Sequence, residues 1–264
     1  MKGRVLIVAG SDSGGGAGIQ ADIKAVTAMD GFAATAITAL TAQNTLGVHG
    51  VVPVAPDFIA RQIEVVLSDI GADAIKTGML HSAEVVETVA ATLRLGAAGV
   101  PVVIDPVMVA KGGHRLLLGE AEAAVRDVLL PMAALVTPNL PEAEVLAGFA
   151  VRDEAGMRRA AERLMALGAR GVLMKGGHLE GDRVVDLVFA DGRVERFESA
   201  RVASRHTHGT GCTLASATAA GIAQGIGLVD AVARARDYVR RAIETAPGFG
   251  AGHGPLNHAV TLSR

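Results

Sequence analysis

The segment with the clearest chemical pattern is residues 207–213, which reads THGTGCT. Its glycines, Gly209 and Gly211, allow successive backbone N–H groups to point into one concavity, and a helix predicted to begin there adds its positive end. Such a loop would stabilise the negative charge of a phosphoryl group during transfer. Within it lie Thr210 and Cys212, and Cys212 is a candidate base because a helix N-terminus favours the thiolate. The alternative is a small cysteine buried under the helix.

Polar or glycine-rich segments also follow short apolar runs at six other places in the chain. These segments begin at Gly10, Gln43, Lys76, Asp105, Thr137 and Lys175. A hydrophobic core needs none of these polar side chains. Because ligands bind at the carboxyl ends of the strands of a parallel sheet, the recurrence predicts that the segments together form one ligand site.

The first glycine cluster, residues 10–18, has the sequence GSDSGGGAG and excludes two common nucleotide motifs. It has no Gly-Lys-Ser/Thr and is therefore not a Walker phosphate loop. Residues 16–21 fit the dinucleotide pattern only loosely, because the acidic residue expected about 20 positions later is absent. A glycine turn that lets the backbone approach a small ligand fits better. Asp12 and Asp22 need polar partners wherever the fold places them.

The elements that would position these segments alternate along the chain. Short β-branched runs predict strands at residues 5–9, 34–40, 74–77, 102–104, 135–137 and 172–175, and a hairpin of residues 184–189 with 194–197. Helical spacing predicts helices at residues 19–29, 56–67, 83–95, 120–129, 157–167, 211–224 and 229–245. This alternation predicts an α/β fold, with a mostly parallel central sheet between two layers of helices. No linker or repeat interrupts it, so we expect one domain over residues 1–264.

Composition narrows the classes of protein that remain. The chain of 264 residues is 50% hydrophobic, which supplies a sizeable core, but only 3% aromatic, so Ala, Val, Leu and Ile must build that core. A net charge of -2 with scattered basic residues argues against a nucleic-acid or membrane-surface protein. A single cysteine permits no intrachain disulfide. The apolar run at residues 5–9 is too short for a signal peptide or a membrane span, and we expect a soluble, cytoplasmic protein.

Eight segments in the same order resemble the hydroxymethylpyrimidine/phosphomethylpyrimidine kinases of thiamine biosynthesis. They are AGSDSGGGAGIQAD at 9–22, TAQNT at 41–45, KTGML at 76–80, DPVM at 105–108, TPNLPEA at 137–143, KGGH at 175–178, HGTGCT at 208–213 and GPLNH at 254–258. The resemblance spans essentially the whole chain and implies the three-layer α/β/α fold of the ribokinase-like superfamily. It also implies transfer of the γ-phosphoryl of ATP to hydroxymethylpyrimidine and then to its monophosphate. The chain ends soon after the last segment, so we expect no fused second module.

The resemblance further implies a role for particular residues. Gln43 would pair with the edge of the aminopyrimidine, which suits an amide that both donates and accepts. The other ring contacts would be Gly10, Ala17, Asp22, Met79 and Val107. ATP and Mg²⁺ would be held by Asp105, Asn139, Glu142, Lys175 and Thr210, with Asp105 and Glu142 serving the metal. Gly209, Thr210, Gly211 and Cys212 would form the catalytic anion hole, and the superfamily suggests a homodimer.

Three alternatives to this function remain open from the sequence. A pyridoxal or pyridoxine kinase would share the fold and a similar hydroxymethyl acceptor, although Gln43 favours the aminopyrimidine. A cysteine acyltransferase or hydrolase would use Cys212 as nucleophile and would need His208 directed at the thiol. A non-catalytic ligand-binding protein is the third, but simple binding would not require Asp105 and Lys175 beside the anion loop.

Overall fold

The computed structural model describes residues 1–110 and 112–262, and within them nine strands form one sheet. The strands are β1 (Arg4–Asp12), β2 (Phe32–Asn44), β3 (Gly47–Pro53), β4 (Ala74–Thr77), β5 (Val102–Ile104), β6 (Ala133–Val136), β7 (Val172–Met174), β8 (Arg183–Ala190) and β9 (Arg193–Ala200). The helices are α1 (Gly18–Ala28), α2 (Pro56–Asp69), α3 (Ala83–Gly96), α4 (Gly119–Ala124), α5 (Leu140–Ala147), α6 (Glu154–Ala166), α7 (Thr210–Ala223) and α8 (Leu228–Glu244).

The order of the strands in the sheet is β3-β2-β1-β4-β5-β6-β7-β8-β9. The strands from β2 to β7 in this order pair in parallel, while β3 and the β8–β9 hairpin add antiparallel pairs at the two ends. The chain therefore builds the sheet outward in both directions from β1, and the two directions separate between β1 and β4. Ligands bind in the crevice at the carboxyl ends of the strands beside such a switch point, as the sequence predicts.

The core lies on both faces of the sheet, because the central strands alternate between two apolar layers. In β1, Leu6 and Val8 pack into the cluster under α2 to α6, whereas Val5 and Ile7 pack into the cluster under α1, α7 and α8. Continuous apolar strands of this kind are expected where helices cover both faces. The longest described helix, α8, has 17 residues, and no helix in the described ranges is long and apolar enough to cross a membrane.

Two elements in the structure were not predicted from the sequence. Strand β3 has the sequence GVHGVVP and is exposed at the sheet edge, so its apolar alternation is weak. Helix α5 has only 8 residues, and a capping box and a proline in its first turn are the local signals that mark its start. In addition, the helix predicted at residues 120–129 is divided, since α4 continues into a π-helical segment, Val125–Leu129.

Candidate active site

The residues predicted to bind ligands converge on a single large cavity at the carboxyl edge of the sheet. Its volume is about 1390 Å³, which exceeds the range of roughly 300–1,000 Å³ for pockets that hold one small ligand. The predicted residues that line it are Gly10, Ala17, Gln43, Met79, Asp105, Val107, Asn139, Glu142, Lys175, Gly209, Thr210, Gly211 and Cys212. Asp22 is not among the lining residues. The cavity has room for a nucleotide and a second small molecule.

The glycine loop before α7 lies at the centre of this cavity. Gly209 is the N-cap of α7 and adopts a left-handed φ of 80°, and a methyl group there would overlap the backbone carbonyl of Gly16. Only glycine therefore fits where this loop packs on the first glycine cluster. A methyl group on Gly211 would lie 3.2 Å from Lys175 Nζ. The N-terminus of α7 thus faces the same space as the Lys175 ammonium, and the two can act together on an anion.

A lysine and two carboxylates form the charged wall beside this loop. Lys175 Nζ lies 3.1 Å from Asp105 Oδ1 and 3.9 Å from Glu142 Oε2. Burial opposes the charge on Lys175, but the two carboxylates outweigh burial and raise its pKa. Burial likewise works against ionised Asp105, yet Lys175 and Lys76 hold its pKa below the usual range. Asp105 Oδ2 is buried and has no hydrogen-bond partner among the described residues.

Asn139 and Glu142, both predicted to serve the nucleotide, also start helix α5. The Asn139 side chain accepts a hydrogen bond from the Glu142 backbone N–H at 3.0 Å, and Glu142 Oε2 accepts one from the Asn139 backbone N–H at 2.8 Å. This reciprocal pair is a capping box. Burial, opposed by Lys175 and reinforced by Asp105, raises the pKa of Glu142 to about 7. Its charge is therefore sensitive to cations that enter the cavity.

The environment of Cys212 differs from the one expected at a helix N-terminus. Burial raises the pKa of its thiol to about 12, because the opposing effect of Lys76 and a hydrogen bond from the Gly18 backbone N–H are too weak to compensate. Asp22 and Asp105 add negative charge nearby and act in the same direction as burial. The expectation that the thiolate is favoured is therefore wrong for the free protein, in which the thiol is protonated at neutral pH.

Gln43 also lines the cavity, and it lies at the end of β2 in a network of polar side chains. One end of its amide lies 3.2 Å from His208 Nε2, and the other end lies 3.3 Å from Thr41 Oγ1. His208 Nε2 in turn lies 2.8 Å from Asp12 Oδ2. Since this ring nitrogen is directed at Asp12 and Gln43, it does not serve as the partner of Cys212 that a cysteine nucleophile would need.

Asp22 lies beneath the cavity and not on its wall, which corrects its predicted position beside the substrate ring. Both of its carboxylate oxygens lie 2.9 Å from Lys76 Nζ, and Ser216 Oγ donates to Oδ1 at 2.6 Å. The side chains of Asp22 and Lys76 are fully buried. Burial disfavours the ammonium, but Asp22, Cys212 and Asp105 together outweigh burial and raise the pKa of Lys76. The Asp22 carboxylate is thus occupied by a buried ion pair, and Lys76 reaches the floor of the cavity instead.

Three charged or polar side chains of the site were given no individual role in the kinase reaction from the sequence: Asp12, Lys76 and His208. A lysine within the buried strand AIKT requires a buried anion as its partner. The sequence pattern around Lys76 could therefore have predicted a buried ion pair. The contact between Asp12 and His208 joins positions separated by 196 residues. A single sequence contains no local signal for such a long-range contact.

An open α/β sheet with an anion-stabilising loop and a charged wall at its carboxyl edge suits phosphoryl transfer between two small molecules. The class of protein that this arrangement defines is the kinases with the ribokinase-like fold. A sequence model of the phosphomethylpyrimidine kinase family matches residues 12–257, and the chain belongs to that family.

Two similar proteins agree with this assignment, and a third agrees with the fold. A thiamine biosynthesis bifunctional protein of Geobacter sulfurreducens is 53% identical over 98% of this chain, which spans only 53% of that protein. A hydroxymethylpyrimidine/phosphomethylpyrimidine kinase of Bacillus subtilis is 46% identical over 97% of this chain and 94% of its own length. The structure of Staphylococcus aureus pyridoxal kinase in complex with AMP-PCP and pyridoxal has a TM-score of 0.89 at 34% identity, covering 98% of this chain and 95% of that one. The predicted fold and the kinase activity are confirmed.

The raised pKa of Cys212 predicts that its thiol reacts slowly with alkylating reagents at neutral pH. Because Cys212 is the single cysteine of the chain and lines the open cavity, alkylation by iodoacetamide reports on this thiol alone, and the pH dependence of the rate separates its ionisation from its access to the reagent. We expect the rate to be more than tenfold below that of a free cysteine at pH 8 and to rise about tenfold per pH unit up to pH 10. A plateau in rate near pH 8 or 9 would show an ordinary or lowered pKa and contradict this assignment.

Proposed function

We propose that this chain transfers the γ-phosphoryl of ATP to the hydroxymethyl group of 4-amino-5-hydroxymethyl-2-methylpyrimidine and then to the resulting monophosphate, in thiamine biosynthesis. One observation carries the proposal. A single cavity holds the loop of Gly209 and Gly211, the Lys175–Asp105 pair and the amide of Gln43. Anion stabilisation, phosphate binding and recognition of a heterocycle are the three tasks of such a kinase.

For the nucleotide, the charges of the site support binding of ATP with Mg²⁺. The unpartnered Asp105 Oδ2 offers a carboxylate oxygen of the kind that Mg²⁺ prefers, and Glu142 adds a second carboxylate nearby. The described residues contain no group of three His, Cys, Asp or Glu side chains that could hold a metal ion, so water and phosphate oxygens would complete the coordination. When bound, Mg²⁺ neutralises charge on the phosphates. Lys175 and Asn139 would bind phosphate oxygens, and Thr210 would border the transferred group.

For the transfer itself, the chain contributes position and charge stabilisation. The backbone N–H groups at the start of α7, around Gly211 and Cys212, face the position where negative charge develops. Gln43 would hold the heterocycle, while Gly10, Ala17, Met79 and Val107 line the space around the ring. We further propose that the Cys212 thiol loses its proton to solvent in the loaded site and, as the thiolate, receives the proton of the hydroxymethyl group late in the reaction. A loose phosphoryl-transfer transition state needs only a modest base.

Measurement of ATP consumption with three acceptors tests the proposed substrate. We expect Mg²⁺-dependent turnover of hydroxymethylpyrimidine and of its monophosphate, and turnover of pyridoxal at least tenfold slower because it lacks the amine that Gln43 would read. Removal of Mg²⁺ with EDTA is the control and should abolish turnover. Turnover of pyridoxal alone would transfer the assignment to the pyridoxal kinase alternative, which shares this fold. Absence of turnover with all three would overturn the proposal.

The two successive phosphorylations separate the role of Cys212 from that of the loop around it. The first acceptor is an alcohol that must lose a proton, whereas the second is a phosphate oxygen that is already ionised at pH 8. We therefore expect Cys212→Ala to lower kcat for the first step by about 10²-fold or more and to change the second step less than tenfold. Equal losses in both steps would show that Cys212 only shapes the anion loop. Cys212→Ser is the matched control for side-chain size.

We also propose one kinase domain over residues 1–264, located in the cytoplasm where ATP is available, and a homodimer. The support for the dimer is an apolar patch at the β3 edge of the sheet. Leu40 and Val52 are cross-strand partners and are 50% and 63% exposed, and Phe58 on α2 is 60% exposed. A second copy of the chain would cover such a patch. Sedimentation velocity should give the mass of two chains and, for Val52→Lys, the mass of one; a single-chain mass for the unmodified protein would exclude the dimer.

A further inference from the structure

The carboxylate of Asp12 connects the two glycine loops of the active site. It accepts hydrogen bonds from the backbone N–H groups of Gly14, Gly16 and Ala17, at 2.8, 3.1 and 2.8 Å. It also lies 2.8 Å from Nε2 of His208, the residue directly before the anion loop. Burial works against ionised Asp12, yet the bonds from His208 and the backbone hold its pKa below the usual range. Asp12 is therefore an anion that only accepts hydrogen bonds.

This charge decides which atom of His208 carries a proton. Because the Asp12 carboxylate can only accept, His208 Nε2 must donate, and the ring is either the Nε2–H tautomer or the imidazolium. The same Nε2 lies 3.2 Å from one end of the Gln43 amide. The single Nε2 hydrogen is directed mainly at Asp12 and is shared with this end of the amide, and a protonated Nε2 cannot accept a hydrogen bond from an NH₂ group. That end of the amide must therefore be its oxygen.

The other end of the amide gives the same answer independently. Thr41 Oγ1 donates its hydrogen to the Ser11 carbonyl at 3.0 Å, so Oγ1 can only accept from the amide end that lies 3.3 Å away. That end must then be the nitrogen. The amide as placed has its nitrogen toward His208 and its oxygen toward Thr41, and a rotation of 180° about its last bond satisfies both neighbours.

We propose that His208, held by Asp12, is a positioning residue that fixes the Gln43 amide with its oxygen toward the anion loop and its nitrogen toward Thr41. This inference rests on the proposed function, since the amide would read an aminopyrimidine. The amide oxygen accepts from the exocyclic amine, and the amide nitrogen donates to the adjacent ring nitrogen. The amine then lies on the side of His208.

This orientation has a direct chemical consequence for catalysis. In the substrate, the carbon that bears the amine is bonded to the carbon that bears the hydroxymethyl group. With the amine beside His208, the hydroxymethyl group is directed toward Gly209 and Gly211, where the phosphoryl group is stabilised. The reversed amide would turn the ring over and direct the hydroxymethyl group toward Thr41, away from the anion loop. His208 thereby selects the productive orientation of the ring.

Discrimination by the amine tests this role. The two substrates are hydroxymethylpyrimidine and its analogue without the amine, 5-hydroxymethyl-2-methylpyrimidine, and the readout is the ratio of their kcat/KM values. We expect a ratio of about 10² or more for the unmodified protein, at least a tenfold smaller ratio for His208→Leu, and recovery of most of it in His208→Gln, which retains an N–H donor. Equal losses for both substrates in His208→Leu would indicate a structural role and overturn the inference, as would failure of His208→Gln to recover the ratio.

Two further measurements make the result independent of the folding of one variant. His206→Leu, a matched control two positions earlier in the same loop, should leave the ratio unchanged. Long-range ¹⁵N–¹H NMR of the unmodified protein, with the His208 ring assigned by its absence in His208→Gln, should show a proton on Nε2, and an Nδ1–H tautomer would overturn the inference. If the unmodified protein phosphorylates neither pyrimidine, the proposed function fails, whereas the NMR result still decides the hydrogen-bond network.

Discussion

Compensation of buried carboxylates is the constraint on which the carboxyl edge of this sheet depends. An anion withdrawn from water is tolerated only beside a cation or several hydrogen-bond donors. Asp12 meets this condition with His208 and backbone N–H groups, and Asp105 with Lys175. In each pair the two partners come from distant parts of the chain, so compensation also draws the loops of the cavity together. The architecture of the site is thus inseparable from its electrostatics.

The alternation of strands and helices was readable from the sequence because both faces of the sheet are covered. Strands buried on two sides are short apolar runs, and β4 and β5 begin and end where the residues indicated. Elements without that pattern were missed: the exposed edge strand β3 and the short helix α5. The local sequence of β3, with two glycines and a histidine in seven residues, resembles a loop. Its strand conformation follows from pairing with β2, which the sequence alone does not reveal.

The sequence predicted which residues line the site better than it predicted their protonation states and partners. Position at the end of a strand placed Gln43, Asp105 and Lys175 at the cavity, since topology brings strand ends together. The protonation state of Cys212 depends instead on burial and on the nearby charges of Asp22 and Asp105. These effects depend on the three-dimensional surroundings of the thiol and not on its neighbours in the sequence. A helix N-terminus lowers the pKa of a thiol by a modest amount, and desolvation exceeds that effect here. The occupation of Asp22 by Lys76 is a second case of a long-range contact that no spacing rule supplies.

The capping box at α5 has a consequence for how this enzyme can change over evolutionary time. Asn139 and Glu142 form the cap at the start of α5 and also line the cavity proposed to bind the nucleotide. One substitution at either position would therefore change both the stability of the fold and the binding of phosphate. Loss of a cap alone costs about 1 kcal/mol. Sequence drift at these two positions is therefore restricted twice over, while the solvent-facing remainder of α5 is free to vary.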